Sequence, residues 1–392
     1  MSQHTQKTDV VIIGGGVVGC ATAYFVRQLA PHATVAVIDA DPTYEFASSL
    51  RAAGGCRVQF TTPENIELSK FSIDFIKSFG ATMAVGDDTP DVGWIEGGYL
   101  FVVPPESTKA LEANVNLQHS MGCDVRLLSP SELRDRFPSM YVDDLGAGAL
   151  SPQDGWCDPN TLLWGFRKKA SSLGVSFIKG RVAAMECDAV QLRSVRLDDG
   201  SRIAADHFVN AAGAWANQIS SMAGMYLPIT PMKRYEHYFT PATLMEFLPM
   251  VKDVARLAFR PEGTGFSGGL VDGNARRGFN FDVDHEYWER VMWPAVAHRF
   301  PPLEAAKCHR TWAGLYEQCE LDGNAIVGRW NNGLANLYTA AGFSGHGMMH
   351  APGAGRGIAE LIVKGAYETI DLARLGYERV ERNEPYRETG IL

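Results

Sequence analysis

Three glycines at a fixed spacing, with an acidic residue downstream, could bind the phosphates and ribose of a nucleotide. Gly14, Gly16 and Gly19 form a G-x-G-x-x-G motif, and Asp39 follows farther along the chain. Gly14 permits a tight turn, Gly16 lets the backbone approach a pyrophosphate, and Gly19 lets a helix pack closely on a strand. Asp39 stands where a carboxylate can bind a ribose hydroxyl. The motif predicts a dinucleotide site, with NAD and FAD both open.

The elements that must position these residues are a strand, a helix and a second strand. Residues 10–13 are a short apolar run, as expected of a buried parallel strand, and residues 17–29 carry apolar side chains at helical spacing. A second apolar run at 34–38 ends just before Asp39. This order predicts a Rossmann-like unit whose helix N-terminus directs free N–H groups toward phosphate.

A second glycine-rich stretch, GFSGHGMMHAPGAGRG at 342–357, lies near the C-terminus and precedes an apolar helical pattern. Six of its sixteen residues are glycine, which loses more backbone freedom on folding than any other residue. Such a concentration indicates tight turns or a close approach of the backbone to a ligand. We expect the helix to begin near Met348 or Met349 and to end near Lys364.

Composition and charge narrow the class of protein. The 392 residues are 46% hydrophobic and 21% charged, as in an ordinary globular protein, and the net charge of −9 disfavours nucleic acid and anionic membranes as partners. No apolar run approaches the roughly 20 residues of a membrane helix, and the N-terminus lacks a signal-peptide core. Seven scattered cysteines without a C-x-x-C pair favour reduced thiols and no metal site. We expect a cytoplasmic protein, as a monomer or an oligomer.

The chain alternates between two kinds of pattern. We predict an α/β nucleotide-binding domain, Rossmann-like and built from the discontinuous segments 1–85, 143–227 and 323–392. A second, α+β domain with a mixed or antiparallel sheet would bind substrate and comprise 86–142 and 228–322. Ser129 and Glu132 form a capping-box helix start, and residues 287–300 form an amphipathic helix pattern. The polar tail from Tyr377 is expected to be mobile.

Five local patterns, in the expected order and across nearly the whole chain, resemble the FAD-dependent oxidoreductases of the D-amino-acid oxidase and sarcosine oxidase type. This resemblance implies FAD as the cofactor. It also implies that the C-terminal glycine segment returns to the flavin. The patterns are GGGVVGCATAY, SSLRAAGGCRVQF, SPQDGWCDP, VNAAGAWA, and LDGNAIVG together with GFSGHGMMHAPGAGRGIAEL.

The glycine motif and the resemblance together predict the residues that contact FAD. They come from the two glycine segments, the segment after the second strand, and the VNAAGAWA turn. The predicted contacts are Gly14, Gly16, Val17, Val18, Gly19, Asp39, Ala40, Ser48, Ser49, Arg51, Ala53, Gly54, Gly55, Val182, Ala211, Ala212, Gly213, Trp215, Gly314, Gly342, Ser344, Gly345, His346, Gly347, Met348 and Met349.

Five residues are candidates for substrate binding and catalysis. The resemblance places Arg57 where the sarcosine oxidase group has its carboxylate-binding arginine, and Tyr316 where a tyrosine lines the pocket. His237 lies on the strand expected to cover the flavin, as a proton acceptor, a pocket wall or a structural histidine. His350 is a candidate for the pocket edge. Met349 stands where monomeric sarcosine oxidases carry a lysine that helps to hold the carboxylate.

The resemblance implies oxidation of the C–N bond of an amino acid or an N-substituted or secondary amine. The substrate would be sarcosine-, proline- or glycine-like, and the imine product would hydrolyse. Oxygen or another electron acceptor would reoxidise the flavin. Two alternatives stay open: 2-hydroxy-acid oxidation in the same fold, and a non-catalytic FAD-binding assembly protein, which Met349 favours. A nicotinamide-dependent reductase would need a second nucleotide fingerprint, which the sequence lacks.

We expect the FAD to be bound non-covalently. Some relatives tether FAD through a cysteine at the position of Gly314, and others through a histidine at the position of Arg51. When the holoprotein is denatured and precipitated, the yellow colour should therefore stay in the supernatant, as absorbance spectra of the two fractions would show. Colour that remained in the washed pellet would contradict this prediction.

Overall fold

Two eight-stranded β-sheets organise the fold. The computed structural model describes residues 5–254, 256–272 and 275–389. In this part of the chain the strands are β1 (Thr5–Ile13), β2 (Val35–Asp39), β3 (Gly55–Cys56), β4 (Tyr99–Val103), β5 (Arg126–Leu128), β6 (Ala147–Ser151), β7 (Gly155–Trp156), β8 (Ser176–Lys179), β9 (Val182–Cys187), β10 (Leu192–Leu197), β11 (Arg202–Asn210), β12 (Ile229–Thr240), β13 (Met250–Lys252), β14 (Leu257–Glu262), β15 (Gly265–Leu270), β16 (Lys307–Cys319), β17 (Ile326–Arg329) and β18 (Leu337–Ala341).

Along the chain, the helices alternate with groups of these strands, and the last two follow the final strand. In the same described ranges they are α1 (Val17–Leu29), α2 (Pro63–Lys77), α3 (Phe79–Met83), α4 (Thr108–Ser120), α5 (Pro130–Arg136), α6 (Pro159–Ser172), α7 (Ala216–Ser221), α8 (Trp293–Arg299), α9 (Gly347–Lys364) and α10 (Glu378–Glu381).

The first sheet has the order β17-β18-β11-β1-β2-β8, with β9 and β10 attached to β11. Strands β18, β11, β1, β2 and β8 are mutually parallel. Residues 10–13 of β1 are buried on both faces, and α1 crosses over to β2 as the glycine motif requires. The predicted Rossmann-like fold is confirmed.

The second sheet is mixed and has the order β16-β12-β15-β14-β13-β4-β6-β5. Its pairs are antiparallel except for β13 with β4. An aromatic cluster that includes Phe239, Phe259 and Trp288 is buried between this sheet and α8. The predicted amphipathic helix is present as a π-helical turn (Trp288–Met292) that continues into α8. The predicted mixed-sheet part of the fold is therefore also confirmed.

One predicted domain boundary is wrong. We expected the nucleotide-binding part to resume at residue 143, but β6 pairs with β4 and β5 in the second sheet. The apolar run of β6 has the same appearance in either sheet, because local composition does not reveal a strand's partners. The predicted capping box at Ser129 is present: its hydroxyl accepts from the Glu132 N–H, and the Glu132 carboxylate accepts from the Ser129 N–H.

The polar C-terminal tail is held against the body, so the expected mobility is wrong for residues 377–389. Arg379 is buried and donates to the Asp322 carboxylate at 2.8 Å. Farther along, the Glu388 carboxylate accepts hydrogen bonds from the Thr61 and Thr62 hydroxyls and backbone N–H groups at the start of α2. The charges that suggested disorder are thus partners for polar groups on the body.

Two further features of the described residues concern membrane-spanning helices and cysteines. No helix among the described residues is long and apolar enough to cross a membrane. All seven cysteines fall within the described ranges, and each is a free thiol. Five of the seven are buried, where the thiol behaves as a small apolar group.

Replacing Glu388 by Ala should destabilise the protein. The change leaves the N–H groups and hydroxyls at the start of α2 without their acceptor, which costs about 1–3 kcal/mol. Chemical denaturation should therefore show a lower midpoint for Glu388→Ala than for the wild type. Glu384→Ala is the matched control, because the Glu384 side chain is exposed. Equal midpoints for the two variants would show that the Glu388 contacts do not stabilise the fold.

Candidate active site

A cavity of about 850 Å³ lies at the carboxyl ends of β1, β2 and β11 and is also lined by residues of the second sheet. This volume is near the upper end of ligand pockets, which measure about 300–1,000 Å³. All the predicted cofactor residues except Gly19 and Gly342 line it, and so do Arg57 and Tyr316. The fold thus brings together residues that lie more than three hundred positions apart in the sequence.

The first glycine turn is crowded against the first sheet. Gly14 has φ +103°, and a Cβ there would lie 2.3 Å from the carbonyl oxygen of Ala211. A Cβ on Gly19 would lie 1.9 Å from the carbonyl oxygen of Gly14. Gly19 therefore lies behind the cavity wall and serves the contact between helix and strand, which is the role its place in the motif predicts.

Asp39 is held in a fixed orientation at the cavity wall. Its carboxylate accepts the Gly15 N–H at 2.6 Å and the Asp41 N–H at 2.8 Å. Burial raises the pKa of Asp39, while these two N–H groups act in the opposite direction. A carboxylate fixed by backbone donors at the end of β2 can accept hydrogen bonds from the hydroxyls of a ribose.

The C-terminal glycine segment forms the opposite part of the wall. Gly342, Ser344 and Gly345 all have positive φ, and the chain then enters α9 at Gly347. No side chain caps this helix start. Its first N–H groups and the positive end of its dipole are therefore left for a ligand in the cavity.

The buried carboxylate of Glu317 supports this segment and was not predicted. Its Oε2 accepts the Gly342 N–H at 2.9 Å, and its backbone carbonyl accepts the Ser344 N–H at 3.2 Å. The Ser344 hydroxyl in turn accepts the Cys319 N–H at 2.9 Å. Burial raises the pKa of Glu317 to about 7, against the N–H groups of Gly342 and Phe343. Gly342 itself lies behind the wall, where it receives this support.

Arg57 is a buried cation on the substrate side of the cavity. Only 2% of its surface is exposed, and its Cζ lies 3.8 Å from the centre of the Phe60 ring. Its Nη1 donates to the Gln59 carbonyl, and its Nη2 donates to Nε2 of His346 at 3.3 Å. A guanidinium can only donate, so Nε2 of His346 is the accepting nitrogen. Burial, and then the charge of Arg57, hold the pKa of His346 well below its usual value.

No carboxylate among the described residues forms an ion pair with Arg57. Burial lowers the pKa of Arg57, and the nearby Tyr99, Glu388 and Asp154 act in the opposite direction. Asp154 instead accepts the Val58 N–H at 2.9 Å and so fixes the chain beside Arg57. A buried charge without a partner is costly, and an anion in the cavity would relieve that cost.

Tyr316 and Arg234 form another part of the wall. The Arg234 guanidinium lies 4.9 Å from the centre of the Tyr316 ring, and its Nε is buried without a hydrogen-bond partner. Burial raises the pKa of Tyr316, so its hydroxyl stays protonated at neutral pH. Tyr316 was predicted to line the pocket, whereas Arg234 was missed, because a single arginine in a strand has no local signature.

His237 does not line the cavity, so its interpretation as a pocket residue is wrong. It lies on β12, from which Arg234, Tyr235 and Glu236 line the cavity, one to three residues before it. The imidazole packs on Tyr287, and its Nδ1 hydrogen-bonds the Thr311 hydroxyl at 2.9 Å. Burial lowers the pKa of His237 to about 4, which fits a neutral structural histidine.

His350 also lies outside the cavity wall, so its prediction as a pocket-edge residue is wrong. It is one helical turn after His346 and is 1% exposed. Its Nε2 hydrogen-bonds the Ser69 hydroxyl at 3.0 Å, and its ring packs on Phe60. Burial lowers the pKa of His350 to about 3, with Arg57 acting in the same direction. Met349, the residue before it, does line the cavity.

The second sheet supplies wall residues that sequence reasoning missed. Residues of β4 and β13 that share one face contribute Tyr99, Met250 and Lys252, and the C-terminal tail contributes Glu388. Strand alternation could have grouped Met250 with Lys252 once β13 was known. Nothing local in the tail indicates that Glu388 reaches the cavity.

The fold and the cavity together are those of a dinucleotide-binding protein whose second sheet also lines the cavity. Residues 9–361 match the family described as DAO, FAD dependent oxidoreductase. The chain belongs to this family and is an FAD-dependent oxidoreductase. The resemblance noted in the sequence and the choice of FAD over NAD are thereby confirmed.

Several relatives match over nearly the whole chain. FAD-dependent oxidoreductase domain-containing protein 1 of Xenopus laevis is 33% identical and aligns with 99% of this chain and 85% of that protein. Mitochondrial sarcosine dehydrogenase of Mus musculus is 25% identical over 97% of this chain and 42% of that protein. The crystal structure of L-proline dehydrogenase from P. horikoshii has a TM-score of 0.86 and 28% identity, over 98% of this chain and 100% of that chain.

The residues present fit FAD. The Gly14–Gly16 turn and the start of α1 suit the pyrophosphate, and Asp39 suits the ribose. The uncapped start of α9 offers N–H groups and a positive dipole to a flavin, which gains negative charge on reduction. Both glycine segments would therefore hold one cofactor.

Replacing Glu317 by Ala should weaken FAD binding about 5- to 150-fold, since the Gly342 N–H would lose a buried acceptor worth about 1–3 kcal/mol. Fluorescence titration of the apoprotein with FAD measures this change. Glu317→Gln keeps one acceptor oxygen and should fall between Ala and wild type. Glu320→Ala is the matched control, because Glu320 pairs with Arg277 at the surface. Wild-type affinity in Glu317→Ala would contradict the supporting role.

Proposed function

We propose that this protein oxidises the C–N bond of an amino acid or of an N-substituted or secondary amine that carries a carboxylate. The observation that carries the proposal is the Arg57 guanidinium, which is buried at the cavity wall without an acidic ion-pair partner among the described residues. A substrate carboxylate would supply the missing anion, with about 1.5–3 kcal/mol from each charged hydrogen bond.

The names of two relatives support this substrate class. One is a sarcosine dehydrogenase at 25% identity, and the other is an L-proline dehydrogenase at 28% identity. Both names specify secondary amines that carry a carboxylate. Sarcosine- and proline-like compounds are therefore the first candidates for this chain, and glycine-like ones follow.

Residues of this chain would bind and orient the substrate. Arg57 would hold the carboxylate, and His346 would keep the guanidinium in place through its unprotonated Nε2. The Tyr316 ring and the Met349 side chain would exclude water from the substrate carbon. When bound, FAD supplies the two-electron acceptor for oxidation of the substrate to an imine.

FAD would be held without a covalent bond. Gly314 lines the cavity and has no side chain to form such a bond. The Arg51 guanidinium donates to the Glu45 and Ala313 carbonyls, and its Cζ lies 5.6 Å from the centre of the Phe46 ring.

The cytoplasmic location stays a prediction. So does the acceptor for the electrons, whether oxygen or a partner.

Two other functions remain candidates within the same fold. Arg57 would hold the carboxylate of a 2-hydroxy acid as readily as that of an amino acid, so a substrate panel must separate these two. Met349 favours a non-catalytic FAD-binding assembly protein, because it provides no charge for a carboxylate where relatives have a lysine. In that case no amine or hydroxy acid would reduce the flavin.

Replacing Arg57 by Ala should strongly reduce the efficiency with which the carboxylated substrate reduces the flavin. A panel of amino acids, N-methyl amino acids and hydroxy acids is mixed anaerobically with the holoprotein, and loss of the flavin absorbance is followed. The efficiency of reduction should fall at least about 100-fold in Arg57→Ala, since two charged hydrogen bonds are lost. Arg57→Lys should recover part of it.

The control for this experiment is Arg382→Ala, which removes an exposed arginine outside the cavity wall. Bound FAD should be measured in every variant, so that lost reduction is not confused with lost cofactor. Unchanged kinetics in Arg57→Ala would reject the assignment of the carboxylate anchor. Reduction by hydroxy acids alone would replace the amine proposal with its hydroxy-acid alternative.

A further inference from the structure

A second cation faces the substrate side of the cavity. Lys252 ends β13 and lines the cavity, and its Nζ lies 5.6 Å from the centre of the Phe101 ring. The Cζ of Arg57 lies 5.0 Å from the centre of the same ring. The two charges therefore cannot lie farther apart than these two distances combined, which is a span that one small molecule can bridge.

Lys252 forms no hydrogen bond or ion pair with any acidic side chain among the described residues. The nearby acidic groups of the wall already have partners. Glu236 accepts from the Ser267 hydroxyl at 2.9 Å, Glu317 accepts the Gly342 N–H, and Glu388 accepts from Thr61 and Thr62. Among the described residues, neither Arg57 nor Lys252 therefore forms an ion pair with an acidic side chain.

The position of Lys252 is set by the sheet. In the pairing of β13 with β4, Lys252 is opposite Phe101 and Met250 is opposite Tyr99. Met250, Lys252 and Tyr99 all line the cavity, so this face of the sheet is the one directed at substrate. Tyr99 and Met250 on this face are aromatic and apolar, so Lys252 is the charged group that β4 and β13 present to the cavity.

Several positively charged side chains lie near Lys252. Burial, and then Arg57, Arg234 and Arg256, lower the pKa of Lys252 to about 7. One substrate carboxylate on Arg57 would leave this second cation uncompensated. A second anion beside Lys252 would raise the pKa of the ammonium toward its usual value, because its attraction would offset the repulsion from the neighbouring arginines.

We propose that Lys252 binds a second acid group, so that the preferred substrate is an amino acid with two carboxylates, one held by Arg57 and the other by Lys252. This inference rests on the proposed amine oxidation. The second carboxylate would be carried by the side chain or by the N-substituent of the substrate. Lys252 would then determine specificity without taking part in the chemistry.

Matched pairs of compounds test this. Iminodiacetate and sarcosine differ by one carboxylate on the N-substituent, and N-methylaspartate and N-methylalanine differ by one on the side chain. Anaerobic reduction of the holoprotein should favour at least one diacid over its monoacid partner by about 10-fold or more, the effect of one charged hydrogen bond. The difference should appear in the substrate concentration for half-maximal rate.

Variants of Lys252 separate binding from chemistry. Lys252→Met should lose the diacid preference by raising the half-maximal concentration of the diacid more than that of the monoacid, whereas Lys252→Arg should retain the preference. Lys307→Met is the matched control, because Lys307 is exposed on β16 and is not part of the cavity wall. If Lys252 were a proton acceptor for the amine, Lys252→Met would slow monoacids and diacids alike, and the proposal would be overturned.

A binding measurement keeps the test independent of turnover. Calorimetric titration of the holoprotein with glutarate and butyrate, which carry no amine, should show tighter binding of glutarate in the wild type and equal binding in Lys252→Met. Equal binding in the wild type, with no diacid preference in reduction, would overturn this inference and leave the amine proposal intact. Reduction by none of the amines would overturn the proposed function, and with it the substrate class inferred here.

Discussion

The close contact between α1 and α9 is the constraint on which the cofactor site depends. A Cβ at Gly355 would lie 2.8 Å from the backbone N of Thr22, so these two helices pack nearly backbone to backbone. Each helix begins at the cavity, α1 beside Gly16 and α9 at Gly347. Because the helices cannot separate, the two glycine turns that precede them are held in register across more than three hundred residues of sequence. Two positive helix ends thereby face one cavity.

This contact divides the glycines of the C-terminal segment into two groups. Gly342 and Gly345 have positive φ and shape the turn at the cavity. Gly353 and Gly355 lie inside α9, where a Cβ would collide with the Leu68 side chain at Gly353 and with Ala21 and the Thr22 backbone at Gly355. A glycine-rich segment that predicts close approach to a cofactor is therefore also needed, in part, for close packing between helices. The sequence does not distinguish these two uses, since both require only the absence of a Cβ.

The parts of the fold that sequence predicts well are those with a local cause. Helix α1 matches its predicted bounds because its start, glycine motif and apolar spacing all lie within one short segment. His237 and Lys252 show the limit: which face of a strand meets the cavity depends on the register of the second sheet, and a shift of one residue exchanges the faces. Glu388 shows the same limit for the tail, because its partners lie at the start of α2.

The distribution of cations sets how this cavity can recognise a substrate. Relatives that the sequence resembles place a lysine on the helix at the position of Met349, close to the carboxylate that the arginine holds. Here α9 contributes a thioether, and the free ammonium comes from β13 on the second sheet. A second cation next to the first binds the same carboxylate more tightly, whereas a cation on another wall of the cavity can bind a different part of the substrate. Moving the charge from helix to sheet would thus change the geometry of recognition while leaving the flavin-binding part of the fold untouched.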